Sequence, residues 1–172
     1  MRAKTRFFVT TLLIALGLDR LSKQWIVAHF DYGERSAVIP GLLDLTYVRN
    51  PGGAFSFFAD GPLELRLLFF IGTTLVAIAL LLVFFRRLEP EARLSAAALG
   101  TILGGAVGNL IDRIVYDGVI DFLDVYLWGG FTWPTFNVAD SCIVVGVAFL
   151  IAETFSLERH DQADAASPET QA

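Results

Sequence analysis

The chain has 172 residues, of which 55% are hydrophobic and 18% are charged, and its mean hydropathy is +0.59. A soluble domain is less apolar, about 45–50% with glycine counted, and carries about 25% charged residues, so this composition favours a membrane protein. The formal net charge of −5 argues against a nucleic-acid partner, because phosphate binding needs clustered Lys and Arg. The single cysteine, Cys142, cannot form an internal disulfide, and the two distant histidines, His29 and His160, cannot build a histidine-rich metal site.

The first apolar segment is short and lies behind a basic N-terminus. Residues 7–18 are apolar, but the charged residues Asp19 and Lys23 intervene before the apolar stretch 25–27. Such a segment also resembles a secretory signal peptide with a small-residue cleavage site. We favour a membrane helix over about residues 7–27, because Asp19 and Lys23 are four residues apart and so share one helical face.

Three further segments are long and apolar enough to cross a membrane. A spanning helix needs about 20 mostly apolar residues, and residues 64–86, 94–113 and 136–154 meet that length. The last of them is interrupted by Asp140 near its start. The sequence therefore predicts four spans in a single membrane domain over residues 1–158.

The placement of Lys and Arg predicts the orientation of the spans. The loop 114–135 carries neither residue type, and the longer loop 28–62 carries only two arginines. On the other side, Arg2, Lys4 and Arg6 precede the first span, Arg86, Arg87 and Arg93 lie between the second and third spans, and Arg159 follows the fourth. Because cytoplasmic loops are enriched in Lys and Arg, we expect both termini in the cytoplasm and both long loops outside.

The outer loops contain short β-strand patterns. β-Branched and aromatic residues at 38–39 and 45–48 are bounded by Pro, Gly and Asn, which predicts two strands around a turn. Residues 119–125, with a turn at 128–131, predict a further pair. Residues 159–172 are small, polar and acidic, and we expect a disordered cytoplasmic tail. The predicted fold is an all-α membrane protein of four helices with a small extracytoplasmic β-sheet.

Polar residues recur at the outer ends of the predicted spans. An ionisable residue inside a membrane segment is costly and is by default a functional hypothesis. Two triplets have the spacing i, i+3, i+4 that places side chains on one helical face. They are Asn109, Asp112 and Arg113 on the third helix, and Asn137, Asp140 and Ser141 on the fourth.

Each of these residues also has a structural interpretation. Asp112 and Arg113 could form an ion pair that anchors a helix end. Asp140 could cap the fourth helix, because a carboxylate is favoured near a helix N-terminus. Asp19 and Lys23 could bridge the first helix to the loops, and Cys142 fits a small buried hydrophobic residue. Close helix packing explains the glycines spaced four residues apart, Gly100, Gly104 and Gly108.

Carboxylates are the reactive groups that this set supplies. The chain has no H-E-x-x-H motif and no histidine in the outer cluster, so zinc peptidase and histidine-activated serine or cysteine chemistry are disfavoured. Two neighbouring carboxyl groups share one proton, since both cannot ionise cheaply. One of them can then activate water while the other protonates a scissile carbonyl, as in aspartic proteases.

The chain resembles the bacterial lipoprotein signal peptidases, also called signal peptidase II, in five blocks that occur in the family's order. They are D-R-L-S-K at 19–23, N-P-G-G-A-F at 50–55, G-G-A-V-G-N-L-I-D-R at 104–113, V-I-D-F at 119–122 and F-N-V-A-D-S at 136–141. The resemblance implies an aspartic endopeptidase of the bacterial inner membrane that cuts prolipoproteins just before their diacylglyceryl-modified cysteine.

The resemblance also implies roles for individual residues. Asp121 and Asp140 would form the catalytic dyad; the residues alone do not favour Asp121 over Asp112 or Asp124. Substrate-binding or supporting roles would fall to Asn50, Gly52, Asn109, Arg113 and Asn137, and structural polar roles to Asp19, Lys23 and Asp112. The resemblance implies neither a metal nor an organic cofactor, and membrane lipid and lipidated prolipoprotein would be the partners of a monomer.

Two other functions remain open. A small proton- or ion-coupled carrier could use Asp19, Asp112 and Asp140 as an ion path, although the polar groups gather at one end of the predicted helices. A structural four-helix subunit would leave the outer carboxylates without a purpose.

Overall fold

The computed structural model describes residues 3–53, 57–58, 60–127 and 131–166, with side chains described up to residue 155. In these residues the chain forms four helices and three strands. Their order is α1 (Ala3–His29), β1 (Arg35–Ile39), β2 (Leu43–Asn50), α2 (Leu63–Arg87), α3 (Arg93–Tyr116), β3 (Val119–Val125) and α4 (Val138–Ala166).

Helix α3 is the centre of the bundle, and its glycines allow the neighbouring helices to approach closely. A Cβ atom at Gly104 would lie 2.6 Å from the carbonyl oxygen of Leu12 and 2.8 Å from Cβ of Ala15, both on α1. A Cβ at Gly105 would lie 2.5 Å from the carbonyl oxygen of Ala139 on α4. The small residues of α3 therefore face helices on two sides, as the glycine spacing predicts.

Three helical segments are long and apolar enough to cross a membrane: Leu63–Arg87, Arg93–Tyr116 and Val138–Phe155. Helix α1 is as long, but charged residues lower its hydropathy. Helix α2 is the most exposed of the candidate spans, and Phe70 is its one buried side chain within the described part of the chain. The three candidate spans coincide with the second, third and fourth predicted segments.

The three strands form one antiparallel sheet in the order β1-β2-β3. Val48 pairs with Asp121, and Asn50 pairs with Val119. An apolar cluster of Ile26, Tyr47, Ile120 and Phe122 attaches the sheet to the end of α1. The strands predicted at 38–39, 45–48 and 119–125 are present. Side chains of β2 and β3 fill the cluster, whereas every residue of β1 is exposed.

The segment after β3 differs from the predicted strand pair. It returns through isolated bridges, Tyr126 with Thr132 and Leu123 with Phe136, instead of a continuous strand. Residues 128–130 of the expected turn lie outside the described residues, as do residues 54–55 of the second family block.

The C-terminal segment corrects a prediction. The tail expected to be disordered from residue 159 is helical as far as Ala166. Residues 159–166 are three Ala, two Asp and one each of Arg, His and Gln, without Gly or Pro, and Ala, Arg and Gln are strong helix formers. The acidic composition thus misled the prediction, because polarity alone does not prevent a helix from continuing.

Candidate active site

An open cavity of about 640 Å³ lies at the end of the helical bundle that carries the sheet. Six of the seven residues expected at the site line it: Asn50, Gly52, Asn109, Arg113, Asp121 and Asp140. The seventh, Asn137, is fully buried beneath the cavity wall and contacts both aspartates. Residues separated by up to 90 positions in sequence (50 to 140) therefore meet at one site.

Asp140 occupies the first turn of α4 and forms a reciprocal cap with Asn137. The Asn137 side-chain oxygen accepts a hydrogen bond from the Asp140 backbone N–H at 2.9 Å, and Asp140 Oδ2 accepts one from the Asn137 backbone N–H at 3.3 Å. This arrangement is a capping box, which satisfies two backbone donors at the helix start. Asp140 Oδ1 accepts a further hydrogen bond, at 2.8 Å, from the amide of Asn109. Asp140 therefore caps α4, as one interpretation of the sequence predicted. Its half-buried carboxylate also lines the cavity.

Asp121 projects from β3 into the same cavity and is 3% exposed. The Asn137 amide donates a hydrogen bond to its Oδ1 at 2.7 Å. Burial, followed by the nearby negative charge of Asp140, raises the pKa of Asp121 from 3.8 to about 7. Hydrogen bonds from Asn50 and Asn137 and the charge of Lys23 oppose this increase. A carboxyl group with such a pKa can hold a proton near neutral pH.

The turn from α3 into β3 brings the loop that contains Asn50 to the site. Asp117 ends α3 in the left-handed conformation with φ 58°. At the next residue, Gly118, a Cβ atom would lie 2.9 Å from the carbonyl oxygen of Asn50. A side chain at position 118 would push this loop away from β3, so the glycine permits the close approach.

Arg113 lines the cavity and is not the partner of Asp112. Its guanidinium lies 5.1 Å from the ring centre of Phe70 and donates a hydrogen bond to the backbone oxygen of Asn109 at 3.4 Å. Asp112 instead pairs with Lys23 at 2.7 Å and with Arg20. The proposed Asp112–Arg113 pair is therefore wrong, because consecutive helical residues point about 100° apart.

Asp19 and Lys23 form an ion pair inside the bundle. The Lys23 ammonium lies 2.9 Å from Asp19 Oδ1, and both side chains are fully buried. Together with Asp112 and Arg20 they make a network of two acids and two bases directly below the cavity. The sequence predicted the Asp19–Lys23 pair, but Arg20 was not assigned any role.

Other parts of the cavity wall were not predicted. Arg49 lines the cavity, donates hydrogen bonds to the hydroxyl of Tyr47 and lies 5.3 Å from the ring centre of Tyr116. Residues 133–136 and Val48 also contribute. The sequence offered one indication that Arg49 lies at the site. It directly precedes Asn50, the first residue of the second family block.

Asp124 does not line the cavity, although it is as buried as Asp121. Its carboxylate pairs with Arg35 at 2.6 Å and accepts a hydrogen bond from the Thr135 hydroxyl. Residues 121 and 124 differ by an odd number along β3, so their side chains leave opposite faces of the strand.

The described residues contain no group of three His, Cys, Asp or Glu side chains placed to hold a metal ion. Cys142 is half-buried and absent from the described cavity wall. The groups that can react there are thus a carboxyl group with a raised pKa and a second carboxylate, both held by amides. This pair can transfer protons to and from a water molecule and a carbonyl.

The apolar helices and the carboxylate-lined cavity define a helical membrane protein with the acid–base groups of a hydrolase. The sequence profile described as signal peptidase (SPase) II matches residues 11–156, and the chain belongs to this family of proteases. A relative named lipoprotein signal peptidase from Geobacter sulfurreducens is 47% identical over 92% of this chain and 98% of its own length. A relative of the same name from Geobacter metallireducens is 43% identical over 95% and 99%.

The fold agrees with this family membership. A bacterial membrane enzyme solved by the in meso method at 2.3 Å is similar with a TM-score of 0.77. The two are 25% identical in sequence, and the match covers 96% of this chain and 93% of the solved one. The chain is thus a bacterial membrane protein of the signal peptidase II family.

Proposed function

We propose that this protein is an aspartic endopeptidase that removes signal peptides from diacylglyceryl-modified prolipoproteins by cutting just before the lipidated cysteine. The observation that carries the proposal is that Asp121 and Asp140 line one cavity and are both hydrogen-bonded to Asn137. The names of the relatives, lipoprotein signal peptidase, support the substrate class.

The two carboxyl groups divide the acid and base roles of the reaction. The Asp140 carboxylate accepts a proton from a water molecule as the water oxygen attacks the scissile carbonyl. Asp121, whose pKa is about 7, donates its proton to the carbonyl oxygen. The tetrahedral intermediate then loses the amine, which takes a proton from the dyad as the C–N bond breaks. Because the groups are coupled, the shared proton belongs to the pair through the cycle.

The other residues of the cavity wall bind substrate. Asn109 and Arg113 lie on α3 beside Asp140, and Asn50 and Gly52 lie on the loop after β2. Their amide and guanidinium groups can donate hydrogen bonds to the substrate backbone or to the ester oxygens of the diacylglycerol. The apolar part of the cavity wall, which includes Ile143 and Val144, suits the acyl chains of the diacylglycerol.

Helix α1 completes a set of four membrane spans in this proposal. Its residues Ala3–His29 are about 40 Å long at 1.5 Å per residue, enough for a hydrocarbon core of about 30 Å. Its buried charges, Lys4, Asp19 and Lys23, face the bundle. Its exposed large apolar residues form an outer surface suited to lipid, namely Phe7, Val9, Leu13, Ile14, Leu18, Leu21, Trp25 and Val27.

The distribution of Lys and Arg orients these spans. Both termini lie in the cytoplasm, and the sheet and cavity lie at the periplasmic face of the inner membrane. The protein acts as a monomer, since the dyad and its supporting amides come from a single chain. The site needs no metal or organic cofactor, because its two carboxyl groups supply the proton transfers.

An ion-coupled carrier is less well supported. A carrier needs polar groups along a path across the membrane. Here the carboxylates gather at one end of the bundle, and α2 has no charged residue between Arg66 and Arg86.

A processing assay separates the two functions. The purified protein is incubated in detergent with a precursor carrying diacylglycerol on its cysteine, and with the same precursor unlipidated. We expect a shift to the smaller product on a gel with the lipidated form only. Failure to cut either form, combined with proton flux across liposomes that contain the protein, would favour the carrier.

A further inference from the structure

Lys23 is a fully buried base that the proposed reaction does not use. We propose that Lys23 is a positioning residue that sets the relative placement of Asp121 and Asp140, through buried contacts to the chain segments that carry them. This inference rests on the proposed function, because it assigns the placement of the dyad to a residue outside the cavity.

The Lys23 ammonium contacts three side chains from two helices. It lies 2.9 Å from Asp19 Oδ1, 2.7 Å from Asp112 Oδ2 and 2.9 Å from the side-chain oxygen of Asn109. Its hydrogen bond to Asp19 goes to Oδ2 at 3.0 Å. An ammonium group has three N–H donors, so its capacity matches one bond to each of the three side chains. Lys23 therefore joins three residues that each also bind another part of the site.

Two of these residues hold the start of α4. Asp19 Oδ1 accepts a hydrogen bond from the backbone N–H of Ala139 at 3.1 Å, next to Asp140 in sequence. The Asn109 amide donates to Asp140 Oδ1 at 2.8 Å. The position of the Asp140 carboxylate is thus fixed through its backbone and through its side chain.

The third residue holds β3 in a matching way. Asp112 Oδ2 accepts a hydrogen bond from the backbone N–H of Ile120 at 3.2 Å, next to Asp121 in sequence. The residue before each aspartate of the dyad therefore donates its backbone N–H to a carboxylate that pairs with Lys23. Removing the ammonium would take away the cation that holds both of these acids in place.

Lys23 also fixes the orientation of the Asn109 amide. An amide group can present either its oxygen or its NH₂ to a neighbour. The cation at 2.9 Å and the Asn137 amide at 3.3 Å both bind the Asn109 oxygen, so the NH₂ group turns toward Asp140. Without the cation, only the longer Asn137 contact opposes a turn of the oxygen toward Asp140, where two acceptors would repel each other. The hydrogen bond that holds the Asp140 carboxylate in place would then be lost.

A simpler interpretation is that the network only joins α1 to α3. That role predicts less folded protein but normal catalysis by the molecules that fold. A positioning role predicts a fall in kcat, an altered pH profile and little change in KM. Three of the four proposed substrate-binding residues lie on the cavity wall outside the contacts of Lys23, namely Asn50, Gly52 and Arg113.

The test variant is Asp19→Asn combined with Lys23→Met. This change removes one acid and one base together, which avoids leaving an unpaired buried charge. Asp112 keeps Arg20, and the amide oxygen introduced by Asp19→Asn can still accept the Ala139 N–H. Lys4→Met is the matched control, since Lys4 is a buried lysine near the other end of α1 that donates to the carbonyl oxygens of Phe85 and Leu88.

Processing of the lipidated precursor is measured per folded molecule, with kcat, KM and the pH profile determined for each protein. We expect kcat of the double variant to fall about 10–100-fold, as for other residues that orient reactive groups, with KM within about twofold and a shifted pH profile. Lys4→Met should keep the wild-type kcat and pH profile at a lower unfolding temperature. A folded double variant with wild-type kcat and pH profile would overturn the inference.

Two further proteins make the test decisive. If the double variant does not fold, Lys23→Arg, which keeps the charge but moves the donor atoms, replaces it; a wild-type kcat in that variant would also overturn the inference. Asp121→Asn is assayed in parallel. Normal cutting by Asp121→Asn contradicts the proposed function, whereas an inactive Asp121→Asn beside a fully active Lys23 variant contradicts only the positioning role.

Discussion

The raised pKa of Asp121 predicts that the protein becomes less stable as the pH increases. The pKa is about 7 in the folded protein and 3.8 ordinarily, because burial and the charge of Asp140 disfavour the ionised form. At about 1.4 kcal/mol per pH unit, this difference corresponds to about 4 kcal/mol. Asp121→Asn removes the titrating group while keeping the size of the side chain, so the variant isolates this contribution.

The sign follows from proton binding in the two states. Between pH 3.8 and about 7 the folded protein keeps the Asp121 proton and the unfolded chain does not. Folding stability therefore falls as the pH rises through this window. The contribution is fully present below pH 3.8 and is lost above about pH 7.

The measurement is thermal unfolding of wild type and Asp121→Asn in detergent between pH 4 and pH 9. We expect the wild type to lose stability relative to the variant by about 4 kcal/mol across this range, on the order of 10 °C in Tm. In Asp140→Asn the loss should be smaller, because the second cause of the raised pKa is gone. Parallel curves for wild type and Asp121→Asn would refute the reasoning, since they would mean that Asp121 has an ordinary pKa.

Three more predictions follow from the packing, the charges and the dyad. Gly104→Leu should lower the amount of folded protein several-fold, because a side chain there collides with Leu12 and Ala15 of α1; wild-type abundance and melting temperature would contradict this. A reporter that is active only in the periplasm should stay silent when fused after Arg159, and activity there would contradict the proposed orientation. Processing activity should decline above about pH 7 as Asp121 loses its proton, and a rate unchanged to pH 9 would argue against its role as the acid.

The sequence was sufficient to predict the helices with continuous apolar runs. The segments 64–86 and 94–113 match α2 and α3 within a few residues, because hydropathy over about 20 residues depends on composition alone. Helix α1 was harder to assign, since its charged residues Asp19 and Lys23 are buried at the contact with α3, and burial against another helix is a tertiary property.

For the site, too, the sequence did not predict contacts that depend on tertiary packing. The five blocks identified the residues that meet at the cavity, but not their partners. Arg113 follows Asp112 directly, yet Asp112 pairs with Arg20 and Lys23 of another helix. Only the close approach of α1 to the glycine face of α3 makes those pairs possible, and a linear pattern does not give interhelical distances.

The central claim is that Asp121 and Asp140 form the catalytic dyad, and single substitutions to Asn with the lipidated precursor test it most directly. Asp124→Asn is the control, because Asp124 is equally buried but does not line the cavity. Its partner Arg35 is 53% exposed, so the guanidinium stays hydrated when the pair is lost. We predict that Asp121→Asn and Asp140→Asn each reduce cutting about 100- to 10,000-fold at normal protein levels, while Asp124→Asn keeps most activity. Normal cutting by either dyad variant, or a loss confined to Asp124→Asn, would contradict the assignment.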